Sequence, residues 1–253
     1  MSDLKTSFTD PLRIDFVPAG PTGGAIGMTL CPGKHQTYGH TGSWQRDLAI
    51  DLGAIRDSGA VALVSLMEGA ELEGVQVHPG SLQAGARALG LEWHHLPVRD
   101  VSVPDDAFED GWAYAGPRLH DHLRCGRRIV VHCLGGLGRT GTVAARLLIE
   151  GGVDPDVAIR AVRVARPGAI ETLEQERYVR QCRATRVHGG ALSLAERAVG
   201  CLLGGAVGDA FGYAVEFDRL DRIRSRFGPD GIHQPVLTGG SLVVSDDTQM
   251  TLF

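Results

Sequence analysis

Short, unbroken apolar runs alternate with segments of helical spacing over the first three quarters of the chain. Residues 25–30, 61–66 and 129–131 are β-branched or aliphatic runs and read as buried strands; residues 91–96 read as a fourth. Between and after them, residues 47–58, 82–89, 108–123 and 140–149 carry apolar positions at helical intervals, although those of 47–58 are imperfectly spaced. A further helix starts at Asp154-Pro155, with proline at the first helical position, and ends near Arg166-Pro167-Gly168. The last helix of this region is predicted from Leu173 to about Val187. Strand–helix alternation of this kind predicts an α/β fold, a central and mainly parallel sheet flanked by helices. Near His188-Gly189-Gly190 the character changes to a small-residue, helical pattern. The expected division is therefore 1–187 and 188–253, the second part being a helical fragment.

Composition narrows the class. The chain has 253 residues, 43% hydrophobic, which suffices for a real core. A net charge of −5 argues against general affinity for nucleic acid, and the arginine clusters RIRSRF and RVARPG read as solvated helix faces. No apolar stretch is long enough to span a bilayer, so no membrane partner is expected. The amino terminus lacks the apolar region of a signal peptide. Five cysteines, irregularly spaced and without a C-x-x-C pair, argue against a disulfide framework or a zinc site. A cytoplasmic location follows as the expectation. Cys31 and Cys125 read as ordinary thiols, with an oxidative disulfide to Cys133 as the alternative. His94-His95 reads as packing, because strand neighbours point to opposite faces.

The run His132-Cys133-Leu134-Gly135-Gly136-Leu137-Gly138-Arg139-Thr140-Gly141 carries the chemistry. A strand leads in and a helix leads out, so successive N–H groups would point inward as an anion nest at a helix amino terminus. The field that binds an anion also favours the Cys133 thiolate, the nucleophilic form. The expected phosphate-binding residues are Leu134, Gly135, Gly136, Leu137, Gly138 and Arg139, the last offering a planar fork for two oxygens. The Thr140 hydroxyl is placed to reach the sulfur and ease its departure. His132 is expected to fix the loop and help depress the thiol pKa. The competing reading is a glycine-rich turn around an inert cysteine.

This loop resembles the signature of the cysteine-dependent protein tyrosine phosphatase superfamily, and most closely that of the cyclin-dependent kinase inhibitor 3 type of dual-specificity phosphatase. HHLPVRDVSVPD, residues 94–105, resembles that family's general-acid loop, and ARPGAIETLEQ, residues 165–175, its downstream loop. The resemblance covers about residues 10–187. It implies that Asp100 protonates the leaving oxygen and later activates water. Asp105 and Asp106 also follow a proline, but they read equally as a helix start. Gln175 is implied to orient the hydrolytic water, and it also completes a capping box from Thr172. The family needs no cofactor. Its partners are phosphorylated proteins, and the lack of an aromatic-rich recognition loop suggests a shallow cleft for phosphotyrosine, phosphoserine and phosphothreonine.

The segment AERAVGCLLGGAVGDAFGYAVEF, followed by SDDTQMTLF, is similar instead to the amino-terminal part of the ADP-ribosylglycohydrolase family. There the resemblance implies magnesium on Ser245, Asp246, Asp247 and Glu216, with Glu216 matching an active-site glutamate. Clustered carboxylates and hydroxyls suit such a hard cation. The family's second acidic cluster is missing, so the expected module is incomplete, binding magnesium weakly and releasing no ADP-ribose. Asp246-Asp247 read alternatively as a solvated cap. The expectation for the whole chain is a phosphatase acting through phosphocysteine. The alternatives are a phosphoprotein-binding pseudophosphatase, the front part of a bifunctional phosphatase–glycohydrolase, or another chemistry on the same cradle, such as arsenate reduction or sulfur transfer.

Overall fold

The computed structural model describes residues 4–39, 42–184, 194–232, 236–237, 241, 243–245 and 248. The chain divides into two compact units, Met1–Val187 and His188–Phe253. In the first, the strands are β1 (Lys5–Thr6), β2 (Asp15–Pro18), β3 (Ala25–Thr29), β4 (His35–Gly39), β5 (Gly42–Gln45), β6 (Ala60–Ser65), β7 (Glu92–His95) and β8 (Arg128–His132). The helices are α1 (Leu48–Asp57), α2 (Gly69–Gly74), α3 (Pro79–Ala88), α4 (Asp106–Arg124), α5 (Gly138–Glu150), α6 (Pro155–Ala165) and α7 (Leu173–Gln181). The second unit contributes α8 (Leu194–Tyr213) and α9 (Leu220–Phe227).

The main sheet has the order β2-β3-β8-β6-β7. All its pairs are parallel except β2–β3, which is an antiparallel hairpin. The central strands β3, β8 and β6 carry the apolar runs, and Ile26, Met28, Leu63, Val64, Ile129, Val130 and Val131 are buried completely or nearly so. Such strands need cover on both faces. Two groups of helices supply it, α1 with α2 and α3, and α5 with α6 and α7. The long α4 joins the second group through Glu109 and Trp112, which meet Arg146 and Glu150 of α5. β8 runs straight into Cys133, and α5 starts at Gly138, so the motif is the crossing from the central strand to the most buried helix.

The predicted elements are present, with differences at their ends. α3 begins three residues before position 82, because Pro79 takes the first turn and the His78 ring caps it through Gly80 N. α7 stops at Gln181, short of Val187. Val179 is its last fully buried residue, and Cys182 leaves helical geometry with ψ 148°. Asp105 is the N-cap of α4, accepting from Phe108 N at 2.9 Å. The short polar strands β1, β4 and β5 form a separate sheet ordered β1-β5-β4, for which the sequence pattern gave no signal.

That small sheet is tied down by one buried carboxylate. Asp51 of α1 accepts from Ser7 Oγ at 2.8 Å, from Gly33 N at 2.9 Å, and from Arg46 Nε and Nη2 at 2.7 and 2.8 Å. Asp51 is fully buried and Arg46 is 2% exposed. Removing one member of such a pair strands the other's charge. Asp51→Ala is therefore expected to destabilise the protein by about 3–5 kcal/mol, measured as a lower urea midpoint.

Candidate active site

Cys133 lies 4% exposed at the end of β8. Its Sγ accepts from Gly136 N at 3.2 Å, so the loop does curl its backbone around the sulfur. Gly136 has φ +74°, and a Cβ there would lie 2.3 Å from the Thr29 carbonyl oxygen, so this turn requires glycine. The amides of Leu134, Gly135 and Leu137 donate to no group among the described residues. Unspent amides around a thiol at a helix amino terminus are an anion-binding arrangement. Gly138 N donates instead to Glu171 Oε2 at 2.7 Å.

Arg139 is held from several sides. Its Nη1 and Nη2 each donate to Glu71 of α2 at 2.6 Å, Nη1 also to Val98 O at 3.0 Å, and Nη2 lies 2.8 Å from Asp100 Oδ1. Burial works against the charge, but the Glu71 bonds outweigh it and the guanidinium pKa lies above its ordinary value. Three hydrogen bonds thus hold the two terminal nitrogens, and the Asp100 carboxylate stands against Nη2 as an ion-pair partner. For an anion to take the fork side-on through Nε and Nη2, Asp100 must release Nη2. Asp100 can do this, because its side chain is 60% exposed. The next residue, Val101, has φ 59°, and Ile170 across the cleft has the same φ. Two β-branched residues in the left-handed region are strain of about 1–3 kcal/mol each, of the kind that gathers at functional sites.

His132 behaves differently from its expected role. Its Nε2 pairs with Ser65 Oγ at 2.7 Å, and Ser65 Oγ accepts from Trp93 Nε1 at 2.8 Å. Full burial pushes its pKa down to about 3, so the ring is neutral and supplies no charge to the thiol. It fixes the loop by hydrogen bonding alone. Thr140 Oγ1 is buried and makes no hydrogen bond, so the expected link to sulfur is not formed here. The amide of Gly136 takes that place.

Gln175 is 1% exposed and completes the capping box. Its Oε1 accepts from Glu171 N and Thr172 N, and Nε2 donates to Ser102 O at 3.2 Å, which leaves one amide hydrogen for a water. The cleft over these groups is about 510 Å3. Cys133, Leu134, Gly135, Leu137, Arg139, Asp100 and Gln175 line it, so one cavity gathers most of the predicted residues. Lys34, Glu171 and Arg166 also line it; Glu171 and Arg166 lie in the segment 165–175 matched by resemblance, and Arg166, expected on a solvated helix face, is instead largely buried against Asp15. Arg166 Nη2 donates to Gly135 O and Nη1 pairs with Asp15. Cys31 is fully buried, and burial raises its thiol pKa well above the ordinary range; Cys125 is exposed beyond α4.

In the second unit, Asp246 and Asp247 lie outside the described residues. Glu216 is exposed in the turn after α8. Ser245 N and Thr248 Oγ1 both donate to Asp209 of α8. No group of three or more His, Cys, Asp or Glu comes together among the described residues, and the expected magnesium site depends on Asp246 and Asp247, which lie outside them. Nor is any described helix long and apolar enough to cross a membrane.

Comparison with known proteins agrees with this geometry. Residues 39–153 match a family model described as a polymorphic toxin system DSP-PTPase phosphatase, and residues 191–253 one described as ADP-ribosylglycohydrolase. A probable protein tyrosine phosphatase type IVA A from Dictyostelium discoideum is 31% identical over 101 residues, 40% of this chain and 59% of that protein. Cyclin-dependent kinase inhibitor 3 from Rattus norvegicus is 36% identical over 97 residues, 37% of this chain and 44% of its own length. The chain thus spans about half the length of these curated relatives. The crystal structure of kinase associated phosphatase, with its catalytic-site cysteine substituted by serine, superposes with a TM-score of 0.57 at 25% identity, covering 67% of this chain and 92% of that one. In fold and loop together, the first unit resembles the protein tyrosine phosphatase class. Within that class, it resembles the dual-specificity branch that includes kinase associated phosphatase.

Two measurements test the site directly. Arg139→Lys removes the planar fork and is expected to weaken tungstate binding about tenfold or more by calorimetry, in keeping with ~1.5–3 kcal/mol for bonds to charged groups. Above pH 6.5 His132 is neutral folded or unfolded; between pH 6.5 and about 3 only the unfolded chain takes the proton, so stability falls with pH in that window. The urea midpoint is expected to drop from pH 7.5 to 5, and to drop less in His132→Gln.

Proposed function

We propose that the first unit hydrolyses phosphoprotein monoesters through a phosphocysteine intermediate. The observation that carries this reading is the set of unspent amides of Leu134, Gly135 and Leu137, arranged with Arg139 around the Cys133 sulfur. The Cys133 thiolate attacks phosphorus, an S–P bond forms, and the P–O bond to the substrate breaks. Asp100, freed from its ion pair with Arg139 and protonated from solvent, gives that proton to the departing oxygen. In the second step water attacks phosphorus, Asp100 takes the water's proton, and the S–P bond breaks to release phosphate and thiolate. Gln175 offers its remaining amide hydrogen to that water, and Thr140 is the hydroxyl available to the leaving sulfur. The backbone amides and Arg139 hold the equatorial oxygens throughout, the electrostatic share of catalysis.

No cofactor takes part in this sequence of steps. One relative's name, probable protein tyrosine phosphatase, supports protein phosphotyrosine; phosphoserine and phosphothreonine are part of the same proposal. Five unpaired cysteines suit a reducing, cytoplasmic setting. A pseudophosphatase would bind phosphopeptides equally well, but it has no use for a carboxyl group exposed beside the guanidinium.

On a phosphothreonine peptide, Cys133→Ser is expected to abolish phosphate release while retaining binding. Asp100→Asn is expected to lower kcat about a hundredfold or more with little change in KM, in line with general acid contributions of ~10²–10⁴. Steady-state phosphate release measures both, and an unaltered kcat in Asp100→Asn would remove it from the mechanism.

A further inference from the structure

The cleft is far larger than one phosphoryl group, and its charges are sorted. At the Arg139 end, Glu71 and Asp100 neutralise the guanidinium. At the start of α5 stands Glu171. Lys34, Lys5, Gln36 and Trp44 also line the cleft. Neither lysine there has an ion-pair partner among the described residues, whereas the neighbouring Arg46 and Arg166 are paired with Asp51 and Asp15. Register places Lys5 beside Trp44 on the small sheet. Both ammonium groups stand 4.9 Å from the centre of the Trp44 ring.

Lys34 is the more telling of the two. It is only 3% exposed, yet still lines the cleft. Its Nζ reaches Leu134 O at 3.3 Å and Gln36 Oε1 at 3.5 Å, two long contacts to neutral oxygens. The Leu134 contact fixes the ammonium at the lip of the cysteine loop. Keeping a buried ammonium without a carboxylate is unfavourable, and a tryptophan face offsets only part of that. Burial accordingly pulls the Lys34 pKa below its ordinary value, with the nearby Cys31 and Cys133 thiols opposing the shift. An anion arriving with the substrate would remove the penalty that the unliganded protein carries.

We propose that Lys34 and Lys5, against Trp44, form a second anion subsite beside the cysteine loop, and that the preferred substrate is a phosphopeptide carrying a second anionic side chain next to the phosphorylated one. This rests on the phosphatase reading for its first anion. The second anion is a carboxylate or a phosphate, and both would meet the same two ammonium groups.

The test uses the full chain carrying Cys133→Ser and three phosphothreonine peptides that differ in one flanking residue: alanine, glutamate or phosphoserine. Calorimetry is expected to show the glutamate peptide, the phosphoserine peptide or both binding about tenfold tighter than the alanine peptide, with the advantage shrinking as salt is raised. Which peptide gains identifies the anion. Lys34→Gln and Lys5→Gln are each expected to pull the affinity ratio toward one, and the half-buried Lys5 keeps the test open if the Lys34 variant fails to fold. Equal affinities for the three peptides, or a preference that survives in Lys5→Gln and in any folded Lys34→Gln protein, would overturn the subsite. Turnover by the wild-type chain is read separately. If it hydrolyses none of the peptides while the affinity ratio holds, the phosphatase reading fails and the subsite stands.

Discussion

The paired hydrogen bonds between Arg139 and Glu71 set the terms for everything else in the cleft. A guanidinium is useful to an arriving anion only if its plane is already oriented, because ordering a long side chain at the moment of binding consumes free energy. Glu71 supplies that order from α2, at 2.6 Å on both terminal nitrogens. It also supplies the countercharge that an empty site needs, since an arginine 2% exposed with no partner would be unfavourable. The consequence is a shortage of N–H groups. With the Val98 carbonyl also served and Asp100 Oδ1 2.8 Å from Nη2, an arriving anion competes with Asp100 for that edge of the guanidinium.

The neutral His132 shifts the burden of thiolate stabilisation elsewhere. A charged imidazole beside the sulfur would be the simplest source of field, but burial against β6 and β7 forbids it. What remains are the amide of Gly136, the amino end of α5, and the cations of the cleft. A helix amino terminus contributes partial charge that needs no titration, so this arrangement keeps its polarity across the pH range in which an imidazole would switch. The histidine's contribution is geometric, since Ser65 and Trp93 lock its ring and thereby the strand end from which Cys133 projects.

Most of the fold was legible because its central strands and flanking helices are carried by apolar periodicity, and burial enforces periodicity. The same logic explains what was missed. β1, β4 and β5 are short and polar, held by Asp51 and by cations around Trp44 rather than by an apolar face. α2 has six residues and one fully buried side chain, Leu72, too little for a helical signature. Within the site, the cysteine, the arginine and the glycines stood out because loop chemistry requires those types in that order. Glu71 and Lys34 did not, because each comes to the site from a separate element and nothing local marks it, while Glu171 was covered only by the resemblance of residues 165–175. Asp100 was legible only by resemblance, and the Gln175 cap only because Thr172 stands three residues ahead of it.

The loop is therefore held from three directions, and the third explains why residues 165–175 belong to the site at all. Arg166 donates to the Gly135 carbonyl, and Glu171 accepts from the Gly138 amide, so one segment clamps the loop with groups of opposite sign at two places. Arg166 is itself anchored by Asp15, at 2.7 Å, on the β2–β3 hairpin. Glu171 is followed directly by the Thr172–Gln175 cap of α7. Each clamp ends in a rigid element. A backbone whose amides must stay unsatisfied until an anion arrives would otherwise relax toward internal hydrogen bonds. Engaging Gly135 and Gly138 from outside opposes this, and the amides of Leu134, Gly135 and Leu137 stay unspent among the described residues.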